Sequence, residues 1–148
     1  MSPMATGEGP TTGYLLWRLT MQWRAAVDRA LAHLGLTHAQ YSVLASLYGM
    51  SLSGNHPSQR ELADHTGLEA LYISKLARAL EGAGMIERVE SPRDSRAVEL
   101  SLTAHGARII ADAIPIVHEL QDDLTAPIGG TTSRRHQQLV RTLQELLQ

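Results

Sequence analysis

The sequence contains no cysteine and no phenylalanine, and only 4% of its residues are aromatic. Without cysteine there is no disulfide, thiolate zinc site, thiol nucleophile or cysteine redox sensor. With two tryptophans and four tyrosines as its aromatics, the chain must build its core from Leu, Ile, Val and Ala. Lysine is scarce as well: of thirteen basic residues twelve are Arg and one is Lys75. The formal net charge of -2 argues against a protein that coats nucleic acid indiscriminately, so DNA binding would need a local cationic surface. No apolar run reaches the length of a bilayer span. Residues 1–13 hold no Lys or Arg and lead into no signal-peptide core. These absences predict a cytoplasmic protein with no membrane partner.

What remains is an ordinary globular balance, 43% hydrophobic and 19% charged over 148 residues, enough for one domain with helical extensions. Residues 1–13, rich in Gly, Pro, Ser and Thr, read as a disordered tail. From Tyr14 the apolar residues Leu15, Leu19, Trp23, Ala26, Ala30 and Leu34 step by three or four, and Gly35 stops that helix. Thr37 to Gln40 and Ser58 to Glu61 are capping boxes, so two further helices start there, separated by a loop at residues 51–57. A fourth helix is predicted from about Glu69 to Ala83. The period then changes. Met85 to Glu90 alternates in part and Val98, Leu100 and Leu102 alternate cleanly, a hairpin whose tip is the polar run 91–96. Thr103 can cap a long helix with Pro115 inside it, where a kink is expected. Residues 127–130 break the pattern before a last helix bearing Leu139, Val140, Leu143, Leu146 and Leu147.

The window from Gln59 to Arg78 has the residue types a helix-turn-helix requires. Ala63 is small where two crossing helices come closest, and Gly67 suits a left-handed turn. Leu62, Leu68, Ile73 and Leu76 stand where they can lock the pair into one core. A hairpin directly afterwards makes the unit a winged helix. The predicted fold class is all-α with a small β-wing.

Other chemistries find little support. There is no nucleophile elbow, phosphate loop, dinucleotide fingerprint or deaminase motif, so no enzymatic activity and no cofactor are expected. The seven histidines are scattered; His118 and Asp122 share a helix face, but a second histidine is missing, and no metal site is expected.

The chain resembles the MarR family of transcriptional regulators. The resemblance rests on Leu36 to Gln40, Val43-Leu44, Arg60 to Ala63, Gly67-Leu68, Ser74 to Leu76 and Leu80-Glu81. It continues through Gly84 to Ile86, Arg88, Asp94 to Arg96, Leu100 to Thr103 and Gly106. It spans roughly residues 14–147, and the stretch from Gly84 to Thr103 is its most specific part. It implies a homodimer on double-stranded DNA, with residues 14–36 and 103–148 as dimerisation helices and 37–102 as the DNA-binding region, the wing at about 85–102. It implies that the fourth helix is the recognition helix, exposing Glu69, Ala70, Leu71, Ser74, Lys75 and Arg78. Lys75 and Arg78 suit guanine or phosphate and Ser74 suits either. Where the family often has Ser and Arg in the first turn, this chain has Glu69, Ala70 and Leu71; Glu69 could accept from a cytosine amine or simply favour the helix dipole. Ser58 and Gln59, at a helix start, suit a phosphate. In the wing, Arg96 suits a narrow minor groove, Arg93 the backbone, and Asp94 an orienting or capping role.

The resemblance further implies a dimeric repressor of a pseudo-palindromic operator and a cleft for a small aromatic anion, for which Trp17, Arg18, Met21, Tyr41 and Tyr48 are the candidates. Between Pro57 and Leu100, however, six basic residues face eight acidic ones. Positive charge must therefore be segregated, with Glu81 and Glu99 turned away or paired. The alternative is a winged-helix protein-interaction module without specific DNA binding.

Overall fold

The computed structural model describes residues 9–148. Helix α1 spans Thr12–Leu31. It begins two residues ahead of the expected boundary of the tail, whose residues 1–8 lie outside the described ones. The Thr11 hydroxyl accepts from the Tyr14 N–H at 3.3 Å, a start signal that precedes the apolar stripe and so is invisible to periodicity. The helix tightens into a 3₁₀ turn over Ala32–Leu34, and Gly35 closes it at φ +73°.

Both capping boxes form. Thr37 caps α2, His38–Ser51, and Ser58 caps α3, Gln59–Thr66; in each the side chain accepts from the N–H three residues on, and that residue's side chain reaches back. Gly67 takes φ +75° and donates its N–H to the Ala63 carbonyl, which turns the chain into α4, Ala70–Gly82. The left-handed conformation is open to glycine without a Cβ clash. Strands β1, Ile86–Glu90, and β2, Val98–Leu102, pair antiparallel with Ile86 opposite Leu102 and Arg88 opposite Leu100. The segment entering α3 joins this sheet: Leu100 donates to the Pro57 carbonyl at 2.9 Å and Ser58 bridges Glu99. Helix α5, Ala104–Leu124, runs through Pro115, and α6 spans Arg134–Leu146.

The described chain forms two compact units, one of residues up to Ala30 with Val117–Gln148 and one of Leu31–Ile116. The border within α5 falls between Ile116 and Val117, so the first half of α5 goes with the winged head. The reason is local. Thr103 donates its hydroxyl to the Gly84 carbonyl and its N–H to the Met85 carbonyl, and the α5 backbone then passes so close to Met85 that a Cβ on Gly106 would collide with that carbonyl.

In the Leu31–Ile116 unit, α2, α3, α4 and the hairpin pack on one another over Val43, Leu44, Leu47, Leu62, Ile73, Leu80, Ile86 and Leu100, each almost wholly excluded from water. In the other unit α6 buries none of its residues. Asp122 accepts from the Thr131 N–H at 2.9 Å and hydroxyl at 3.0 Å, which holds its carboxyl below the ordinary value and commits it to the turn ahead of α6. Among the described residues no group of His, Asp and Glu is arranged to hold a metal, and no helix is long and apolar enough to cross a membrane.

Candidate nucleic-acid interface

Helix α4 has two chemically distinct faces. Ile73, Leu76, Ala77 and Leu80, spaced three and four apart, are buried. Leu71, Lys75 and Arg78 share the same spacing on the outward side and are exposed, with Ser74 half-buried beside them. Glu69 stands at the N-cap but makes no side-chain cap bond, and Ala70 is exposed at the first helical position.

The start of α3 is fixed from two sides. Pro57 and Ser58 are tied to β2, and the Ser58 hydroxyl is engaged by the Glu61 N–H at 3.0 Å. Gln59, half-buried, accepts from the Arg88 Nε at 3.1 Å, while the Arg88 Nη1 lies 3.6 Å from Glu81. Glu81 is therefore paired, as the charge balance of this region called for.

The hairpin tip is organised by its own polar residues. Ser91 donates to the buried Glu99 carboxylate at 2.9 Å and accepts from the Arg93 N–H at 3.2 Å, and the Arg93 guanidinium lies 3.6 Å from Glu99. Asp94 accepts from the Arg96 N–H at 3.0 Å, an Asx-type closure of the turn. Its carboxylate is 3.9 Å from the Arg96 Nε, but the Arg96 side chain is 94% exposed. An ion pair so open to water is weak and yields easily to a phosphate.

The start of α3, the first residue of α4 and the hairpin tip together line an open groove of about 1000 Å³, with Ser58, Gln59, Ala70, Asp94 and Arg96 on its walls. Arg60, exposed on the same wall, was not among the sequence candidates. The signal for it was the capping box, which puts residue 60 on the first turn of α3. Of the residues considered for a small ligand, Trp17 is 61% exposed on α1 and Met21 is half-buried. Arg18 donates to the Tyr14 hydroxyl at 2.8 Å with its guanidinium 5.8 Å from that ring's centre. Tyr41 and Tyr48 are half-buried on α2, and burial pushes the Tyr41 hydroxyl pKa up. The first three belong to one unit and the two tyrosines to the other.

A glycine-turned helix pair, a second helix with an exposed polar and cationic stripe, and an Arg-tipped hairpin define a winged helix-turn-helix of the DNA-reading class. Comparison with known proteins makes this specific. The MarR family model matches residues 34–97. The HTH-type transcriptional regulator YdcH of Bacillus subtilis is 36% identical, over 94% of this chain and 92% of the relative. The HTH-type transcriptional repressor Rv2887 of Mycobacterium tuberculosis is 28% identical over 95% of this chain and 98% of its own. Among solved structures, the transcriptional repressor CouR bound to a 23-mer DNA duplex superposes with a TM-score of 0.79 at 30% identity, covering 93% of each chain. The chain belongs to the MarR family of transcriptional regulators, a family of DNA-binding proteins and not of enzymes.

Proposed function

We propose that this regulator is a homodimeric repressor that reads a pseudo-palindromic operator and works in the cytoplasm. The observation that carries the reading is the groove: the α3 N-terminus, the start of α4 and Arg96 of the hairpin line one open surface of the head. On this reading α4 enters the major groove with Lys75, Arg78 and Ser74 toward base edges. Ser58 and Gln59 help seat a phosphate at the start of α3, Arg93 meets the backbone, and Arg96 enters the flanking minor groove, where a narrow width strengthens the negative potential. Dimerisation is supported by α6, which buries none of its residues, and by the exposed Leu15, Leu16, Trp17 and Leu19 of α1. Two heads related by a two-fold axis require half-sites separated by about 10 bp or a multiple of it.

Release by a small aromatic anion is the regulatory half of the proposal, with Arg18 and Trp17, adjacent on α1, supplying a cation and a ring. Selection of bound fragments from a random duplex library, followed by salt titration, tests the reading as a whole. The expected result is an inverted repeat bound with an affinity that falls steeply with salt. Recovery of no preferred sequence, with binding insensitive to salt, would leave the protein-interaction reading in its place. For the ligand, linkage demands that operator and aromatic carboxylate weaken each other by one factor. Equal ligand affinity with and without operator removes that class of effector.

A further inference from the structure

The first turn of α4 is chemically unlike the cationic stretch behind it. Leu71 is 70% exposed and Tyr72 40% exposed, on a helix whose Ile73, Leu76, Ala77 and Leu80 are all buried. An apolar side chain left in water gains nothing for the fold of the isolated chain. Leu71 nevertheless lies in line with Lys75 and Arg78, so whatever those cations attract meets the leucine as well. Ala70, one residue before it, lines the groove shared with Arg96. The occupant this surface fits is therefore anionic overall and carries a small apolar group at the point nearest the helix N-terminus.

A DNA major groove meets both conditions. N-terminal residues of a recognition helix face base edges. Guanine shows two acceptors there, adenine an acceptor and a donor, cytosine a donor, and thymine an acceptor and the 5-methyl group. Leucine has neither donor nor acceptor and matches the methyl group alone. Glu69 offers only acceptors and is not held in a cap, so it disfavours a guanine edge at the neighbouring step. We infer that Leu71 is a specificity residue that seats against the 5-methyl group of one thymine in each half-site. The inference rests on the reading of α4 as the recognition helix.

The test removes the methyl group and nothing else. In the duplex recovered by selection, each thymine is replaced in turn by deoxyuridine, and the affinities of full-length wild type, Leu71→Ala and Leu71→Met are measured on every duplex by fluorescence anisotropy. At one symmetry-related pair of positions, deoxyuridine should weaken the wild type about fourfold per methyl group, the scale of one buried methylene. Leu71→Met should keep that sensitivity. Leu71→Ala should lose it while still separating the selected duplex from a scrambled one. Specific binding by the wild type with no deoxyuridine effect anywhere overturns the inference and leaves the proposed function standing, as does a Leu71→Ala variant that keeps the wild-type pattern. If selection returns no preferred duplex, and Leu71→Ala instead changes the sedimenting mass, Leu71 serves a protein contact and both readings fall.

Discussion

Arg96 and Lys75 are both exposed cations, yet the structure gives them different settings. Arg96 sits on a turn whose shape is maintained by the Asp94 bond to its own N–H, so its side chain can be removed without loss of the turn. Arg96→Ala should therefore weaken binding to selected and scrambled duplexes alike and lower the salt slope by about one unit, as loss of one phosphate-type contact does. Lys75 and Arg78 project from a rigid helix, so Lys75→Ala or Arg78→Ala should cost roughly 1–3 kcal/mol on the selected site and relax preference at one position per half-site. Salt titrations of the three variants on both duplexes check this. An unchanged slope for Arg96→Ala would remove the wing from the DNA surface. Glu99 and Arg88 follow a different logic, since each is engaged inside the head and helps determine where Arg93 and Gln59 stand.

At the scale of elements, two glycines control how helices meet. Gly67 reverses the chain between α3 and α4 at φ +75°, and Gly67→Ala should destabilise the head by about 1 kcal/mol through backbone strain alone. Gly106 is a matter of space, because a Cβ there meets the Met85 carbonyl, a backbone atom that cannot swing aside. Gly106→Ala should cost about 1–3 kcal/mol, the range for overpacking, and shift α5 away from the hairpin. Denaturant unfolding measures both, and a midpoint for Gly106→Ala equal to wild type would show that the approach is looser than the structure has it. The elements themselves were largely legible in the sequence. Both capping boxes, the Ala63–Gly67 turn and the alternation of Val98, Leu100 and Leu102 are encoded within a few residues of where they act.

For the whole molecule, the unit containing α1 and α6 is where apolar side chains are most exposed in one chain. Leu146 is 65% exposed and Leu147 86% exposed, in addition to the apolar face of α1. Exposed apolar side chains of this kind support the proposed dimer. The protein should sediment as a dimer at micromolar concentration, and its thermal midpoint should rise with protein concentration, because association stabilises only the folded chain. A well-folded monomer under those conditions would sink the dimer.

Local chemistry was enough to predict the class of fold, the order of helices and hairpin, and the turn at Gly67, whereas the outward face of α4 was an implication of the family resemblance. Caps, turns and periodicity act over spans of three to ten residues, within reach of a reading along the chain. The tertiary structure alone decided that Arg88 would hold Gln59, twenty-nine residues away, that Ser58 would be tied to β2, and that Arg60 would join the groove. It also decided that α5 would press its backbone on Met85. Those outcomes depend on which distant segments are brought into contact, and side-chain periodicity carries the facing of an element but not the identity of its neighbour.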